Sequence, residues 1–377
     1  MVRIDLRRFE LPLERPLETS QGPIDRRVGY LVSYEHGEHV GLGEATPLPG
    51  WTESLEACET ALRSAADHAA GDAAASPMGN PGWHGGRPGD PVDRQLARAM
   101  DADRPVPAAR HGLASAIQDW RARRGSESLS ELLSPWSDHD PVTAVPVQAT
   151  VGDGDPEATT DAAAIASESG FETVKIKVGA RSLTADRERL VRVREVLGPG
   201  PAIRIDANGA WDRETAARAI EMANEVGAEL IEQPLAPDDL TGHAELRGRG
   251  VAIALDESLG VVDVSKIVEE GAADALVCKP MAVGGLDRAM HAAKTAHEAG
   301  IEPILSTCLD GAIARAGAAH VAAAIPDIGP CGLATGDRFA RDLVADRPPV
   351  ADGTVAVPDG PGLGIDPSTL EPAVFAA

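Results

Sequence analysis

Lysine is nearly missing from this chain of 377 residues, supplying five (Lys175, Lys177, Lys266, Lys279 and Lys294) of its 35 basic residues. Positive charge as a whole is short, since 59 acidic residues leave a formal charge of −24. Such a charge repels phosphate backbones and anionic lipid, which argues against nucleic-acid and membrane-surface partners. No run approaches the roughly 20 apolar residues that span a bilayer, and the N-terminus lacks the apolar core of a signal peptide, so a soluble, cytoplasmic protein is expected. The four cysteines, Cys58, Cys278, Cys308 and Cys331, form no C-x-x-C pair and indicate neither a disulfide framework nor a zinc ribbon. An acidic, lysine-poor surface suits a halophilic host, although a codon bias toward Ala, Asp, Gly and Arg would give the same composition.

What the chain does have is 43% hydrophobic residues, enough for a large core. From Pro146 onward, short apolar runs alternate with Ala- and charge-rich helical stretches, the pattern of repeated βα units on a parallel sheet. The runs cover residues 145–151, 173–178, 203–206, 230–232, 251–255, 275–278 and 302–305, with a weak eighth near 332–335. The polar residues that follow five of them, Lys177, Asp206, Glu232, Asp256 and Lys279, are spaced by 29, 26, 24 and 23 residues, one strand plus one helix each. No glycine fingerprint follows Val151, so a (β/α)7β TIM-like barrel over residues 141–337 is expected rather than an open doubly wound sheet.

Residues 1–140 read differently. Alternating segments at 3–11 and 30–34 and helices near 54–70 and 109–123 predict a separate α+β capping domain. Within it, residues 76–91 hold nine Gly or Pro in sixteen and predict a mobile loop. The Pro- and Gly-rich segment 338–377 is expected to return to the capping domain.

Three acidic residues, Asp206, Glu232 and Asp256, end three successive strands. Any one alone reads as a helix N-cap. As a set they are expected to converge at the C-terminal face of the barrel, where like charges need a cation. An oxygen-only donor set favours Mg²⁺, with Mn²⁺ the alternative. Lysines flank the trio: Lys175 and Lys177 end the preceding strand, both facing inward with Ile176 outward, and Lys279 ends the following one. Neighbouring ammonium groups beside a cation are expected to depress each other's pKa and release one lysine as a base. A substrate carboxylate bound at the ion would then lose its α-proton to a lysine.

This ordered set, Lys-x-Lys, Asp, Glu, Asp, Lys, resembles the enolase superfamily in its muconate-cycloisomerase-like branch. The resemblance implies Mg²⁺ held by Asp206, Glu232 and Asp256, and Lys177 and Lys279 as catalytic residues. Three segments resemble the o-succinylbenzoate synthase family: Pro47-Leu48-Pro49-Gly50-Trp51 in the capping domain, Arg204-Ile205-Asp206-Ala207-Asn208, and Ser306-Thr307-Cys308 at the seventh strand. Together with the ordered set they imply substrate contacts from Lys175, Arg204, Asn208, Ser306, Thr307 and Trp51. Gln148 stands where many relatives carry asparagine. The eighth run lacks the Asp-x-Asp of dipeptide epimerases, and no histidine ends the sixth or seventh run as in mandelate racemase relatives.

The activity so implied is dehydration of a small cyclohexadiene carboxylate to an aromatic acid for menaquinone biosynthesis. N-succinylamino acid racemization uses the same residues and stays open; muconate cycloisomerization is a third option, disfavoured by the capping-domain segment at 47–51. A Schiff-base aldolase with Lys279 as nucleophile and Gly284-Gly285 as a phosphate loop is the more distant alternative. The sequence leaves homo-oligomerisation open.

Overall fold

The computed structural model describes residues 2–17, 22–71, 105–136, 138–152, 154–344 and 350–375, so residues 76–91 lie outside the described residues. The chain opens with an antiparallel sheet of β1 (Arg3–Leu17), β2 (Ile24–His36) and β3 (His39–Ala45), in that order. Helices α1 (Leu55–Gly71) and α2 (Pro107–Gly125) pack on it. Contact with α2 is close because β3 carries glycines there: a Cβ on Gly43 would meet the Gly112 carbonyl at 1.9 Å, and one on Gly41 the Ala116 carbonyl at 2.0 Å. After a short α3 (Leu129–Leu133) comes β4 (Ala144–Pro146).

Seven parallel strands follow in sequential order: β5 (Ala149–Val151), β6 (Thr173–Lys177), β7 (Ala202–Asp206), β8 (Ala228–Glu232), β9 (Ala252–Leu255), β10 (Ala275–Cys278) and β11 (Glu302–Leu305). The main connecting helices are α4 (Pro156–Glu168), α5 (Leu183–Leu197), α6 (Arg213–Glu225), α7 (Leu240–Leu246), α8 (Val264–Glu269), α9 (Pro280–Val283) and α10 (Leu286–Glu298), with α11 (Ala312–Ala323) after β11. Single parallel bridges, Val147 to Cys331 and Ser306 to Gly332, link both sheet edges through one short segment. That segment is the weak eighth run, shifted toward its N-terminal end.

Strand alternation decides what each face carries. Val174, Ile176, Ile203, Ile205, Ile231, Ile253 and Leu255 face the helices in the main apolar core. Burying such a side chain contributes about 1.5–3 kcal/mol, so the sheet-to-helix interface fixes the register firmly. The opposite set, Leu230, Ala254, Ala275, Val277 and Ile304, forms a small separate cluster on the other face. One step further along the same face stand Glu232, Asp256, Lys279 and Ser306. The polar layer therefore rests on an apolar floor.

The run at 145–151 does not form one strand. Its first half, β4, pairs antiparallel with β13 (Thr354–Ala356), which in turn pairs with β12 (Val350–Ala351). Pro146 lacks an N–H, and the Val147 N–H turns to the Gly353 carbonyl at 2.8 Å, so the chain changes sheets at this point. Beyond α11, Phe375 bridges Phe9, Phe339 bridges Leu13, and the Arg7 guanidinium stacks 3.6 Å from the Phe375 ring. The C-terminal segment thus touches both β1 and the sheet around β4. No helix among the described residues is long and apolar enough to cross a membrane.

Candidate active site

The helices after β7, β8 and β9 find their N-caps elsewhere. Asp212 caps α6, Asp239 caps α7 and Asp263 caps α8, each accepting a backbone N–H. Asp256 precedes a 3-10 turn but makes no capping bond to it. Asp206, Glu232 and Asp256 are therefore free of the capping role that each could have filled alone.

They are instead buried among lysines. Asp206 and Glu232 lie opposite each other in the β7–β8 register. Between them stands the Lys175 ammonium, 3.0 Å from Asp206 and 2.8 Å from Glu232. Lys177, two residues on and on the same face, donates to Asp206 at 2.7 Å and to the Asn208 amide oxygen at 2.8 Å. Lys279 donates to Asp256 at 2.5 Å and lies 3.6 Å from the centre of the Trp51 ring. Among the described residues no three His, Cys, Asp or Glu side chains are grouped closely enough to enclose an ion directly. Lysines thus stand between and beside the members of the trio, because the flanking strands β6 and β10 place their ammonium groups against the carboxylates.

The charges perturb one another strongly. Burial, reinforced by the Asp206 charge, raises the Glu232 pKa to about 7. Burial also raises Asp206, yet Lys175 and Lys177 outweigh it and hold that carboxyl below its usual range. Asp256 is pushed up by burial and by the adjacent Glu257. For Lys175 and Lys279, burial acts downward, but the surrounding carboxylates win and raise both. Asp206, Glu232 and Asp256 face Lys175 together.

The residues fit a divalent cation. One oxygen of Asp256 is buried without any hydrogen-bond partner, as is one of Glu257. An acceptor without a donor, on a carboxylate buried close to other carboxylates, is what a hard cation would resolve.

Two residues adjacent to the trio, not singled out in the sequence, hold it in shape. Gln233, with φ +41°, accepts from the Asp256 and Ser258 N–H groups and donates to the Leu235 carbonyl. Glu257 accepts from Asn208 at 2.9 Å, so Asn208 joins Lys177 to Glu257. Asn208 adopts φ +45° in an Asn-Gly step, a left-handed conformation in which a non-glycine residue is strained. That Asn-Gly pair and the Glu-Gln and Asp-Glu steps were the local signals available in the sequence.

Other expected substrate residues are placed less directly. Ser306 and Thr307 lie at the end of β11, their hydroxyls 3.4 Å from the Gly332 carbonyl and the Thr335 hydroxyl. Arg204 turns away from the trio. Its guanidinium bonds Gln148 at 3.0 Å, the Pro330 carbonyl at 2.7 Å and Glu229 at 3.1 Å, with Glu302 at 3.5 Å. One strand-step below Asp206, it fills the far end of the sheet interior, with the Gln148 amide oxygen among its acceptors. The glycines at 284–285 form no phosphate loop either. The Arg110 guanidinium fills that space, bonding the Gly284 carbonyl at 2.7 Å and both oxygens of Asp287 at 3.0 Å.

Residues 157–371 match the family model described as enolase C-terminal domain-like, and residues 1–81 match the MenC N-terminal domain. A chloromuconate cycloisomerase of Pseudomonas sp. (strain P51) is 29% identical over 95% of this chain and 94% of its own length. An o-succinylbenzoate synthase of Thermosynechococcus vestitus is 30% identical over 85% of this chain and 88% of its own. Among solved structures, an N-succinyl Arg/Lys racemase from Bacillus cereus superposes with a TM-score of 0.83 at 25% identity, over 97% of this chain and 95% of that one. A dipeptide epimerase from Enterococcus faecalis, complexed with Mg and a dipeptide, gives 0.82 at 25% identity, over 96% and 98%. The chain is an enzyme of the enolase superfamily.

Proposed function

We propose that this enzyme is an o-succinylbenzoate synthase, a hydro-lyase that converts 2-succinyl-6-hydroxy-2,4-cyclohexadiene-1-carboxylate to o-succinylbenzoate. The observation that carries the reading is the Lys279 ammonium, held by Asp256 and lying 3.6 Å from the centre of the Trp51 ring, across the buried acidic trio from Lys177 at Asp206. Matches to o-succinylbenzoate synthases and to the MenC N-terminal domain support it. We also read the two single bridges as closing the parallel strands into a (β/α)7β barrel, with residues 1–140 as its cap and 338–377 returning to that cap.

Asp206, Glu232 and Asp256 would hold Mg²⁺, or Mn²⁺, which when bound would stabilise negative charge developing on the substrate carboxylate. Lys177 takes the α-proton at Nζ and later returns it to the departing hydroxide, so one side chain serves as base and then acid. Asn208 and Asp206 hold Lys177 in line for both transfers. Lys279, fixed by Asp256 and stacked on Trp51, presents positive charge to the other face of the ring, worth about 1–2 kcal/mol when desolvated. Aromatisation drives the loss of water, leaving the protein mainly the first proton transfer to assist.

N-succinylamino acid racemization is the second reading. The flanking lysines favour it, because inversion needs an acid and a base on opposite faces. The test is to supply the cyclohexadiene carboxylate and follow the rise in aromatic absorbance, and separately to incubate N-succinyl amino acids in ²H₂O. Rapid dehydration is the expected result. Fast α-deuterium exchange without dehydration would overturn the synthase reading.

A further inference from the structure

The loop that carries Trp51 is fastened to the parallel sheet by a residue with no part in the chemistry above. Arg27 lies in β2 and is 3% exposed. Its guanidinium makes three hydrogen bonds, all to backbone carbonyls: Nη2 to Thr46 at 2.7 Å, Nη1 to Pro47 at 2.9 Å and Nε to Leu309 at 3.0 Å. Thr46 and Pro47 begin the loop that leads to Trp51. Leu309 lies two residues beyond Thr307, in the left-handed region at φ +58°.

Only a guanidinium suits this position. It offers five N–H donors in one rigid plane and so can reach three carbonyls in two separate segments, whereas an ammonium is a single point on a flexible stem. Burial of the charge works against it, and the carboxylates of Asp310 and Glu44 supply the opposing field. Glu44 strengthens the same junction by accepting the N–H groups of Gly311 at 2.6 Å and Ala314 at 2.9 Å.

The loop transmits this anchorage to Trp51. Trp51 and Thr52 donate their N–H groups to the Leu48 carbonyl at 3.0 and 2.9 Å, so the ring follows the Pro47–Leu48 backbone. At the other end, Glu53 accepts from the Ala108 and Ala109 N–H groups at 3.0 and 2.8 Å. Trp51 is thus suspended between two fixed points, and Arg27 governs the one that faces β11.

We propose that Arg27 is a positioning residue: by tying Thr46 and Pro47 to Leu309, it sets the gap between the Trp51 ring and the Ser306–Thr307 wall, and so selects the side arm of the carboxylate substrate that fits beside Lys279. The proposal rests on the site reading given above. Its first test needs no substrate, so its failure and that of the functional assignment can be told apart.

The full chain is labelled with 5-fluorotryptophan, and the ¹⁹F line of Trp51 is assigned with Trp51→Phe. In Arg27→Met the Trp51 line should shift or broaden while the lines of Trp120, in α2, and Trp136, just beyond α3, stay in place. In Arg27→Lys, which keeps the charge but not the planar fork, the same line should move less; this variant carries the test if the methionine form does not fold. In kinetics, KM for the succinyl substrate should rise about tenfold with kcat little changed, the mark of lost binding geometry rather than lost chemistry. An unmoved Trp51 line in the folded variants would overturn the proposal. So would a joint shift of every tryptophan line, or a fall in kcat at constant KM.

Discussion

The Lys175 ammonium donates to both oxygens of Glu232, at 2.8 and 2.9 Å, while lying 3.0 Å from Asp206. One cation thus holds together two carboxylates that would otherwise repel each other at the end of adjacent strands. Removing one member of a buried ion pair leaves a charge uncompensated, at about 3–5 kcal/mol. Lys175→Met should therefore lower stability by that order without divalent cation, and Mg²⁺ should restore more of the melting temperature in the variant than in the parent. Thermal denaturation with and without Mg²⁺ checks both; equal shifts would mean that Lys175 does not compete with the ion, and no shift in either protein that the trio takes none.

Lys177→Ala should leave circular dichroism unchanged, since its side chain is 34% exposed, and should lower turnover by about 10²–10⁴-fold. Asn208→Ala should give a smaller loss, mainly in kcat, because Asp206 still holds Lys177 once the bonds from Asn208 to Lys177 and Glu257 are gone. A full rate in Lys177→Ala would assign the base elsewhere.

Arg204 is expected to act on stability and not on catalysis. Arg204→Leu leaves the Gln148 oxygen and the Pro330 carbonyl without a donor, a loss of about 1–3 kcal/mol. Urea unfolding should show that loss while KM stays unchanged. A raised KM at unchanged stability would return Arg204 to the list of substrate contacts.

Two buried groups give the stability a pH dependence with opposite signs. His320 is fully buried in α11, and burial lowers its pKa to about 4, below the ordinary value of 6.5. The unfolded chain therefore takes up the proton first. This contribution is present above pH 6.5 and is lost as pH falls toward 4, roughly 3 kcal/mol in all. Glu44 has its pKa raised to about 7, chiefly by burial and then by the Asp310 charge. Its contribution is present below the unfolded carboxyl range and is lost as pH rises through 7. Urea midpoints from pH 4 to 8 should show His320→Gln flattening the acid limb and Glu44→Gln flattening the limb near neutrality. Unchanged limbs would contradict these assignments.

How much of this was legible in the sequence follows from the range of each interaction. The strand ends at Lys177, Asp206, Glu232, Asp256 and Lys279 could be read because period-two alternation and regular βα spacing are local. Alternation also separated Ile176 from its two lysine neighbours. The direction of Arg204 could not be read, since its partners Gln148, Glu302 and Pro330 are far apart in the chain. The same holds for Arg27, whose bond to Leu309 spans 282 residues, and for Arg110, which fills the space at Gly284 and Gly285. The run at 145–151 misled because its apolar pattern suits two sheets equally, and only the distant β13 decides between them.

Asp206, Glu232 and Asp256 together should bind one divalent cation beside Lys175 and Lys177. Crystals soaked in Mn²⁺ and measured for anomalous scattering test it most directly. A single peak within coordination distance of all three carboxylates is the expected result. A peak elsewhere, or none while the three side chains remain paired only with lysines, would contradict it.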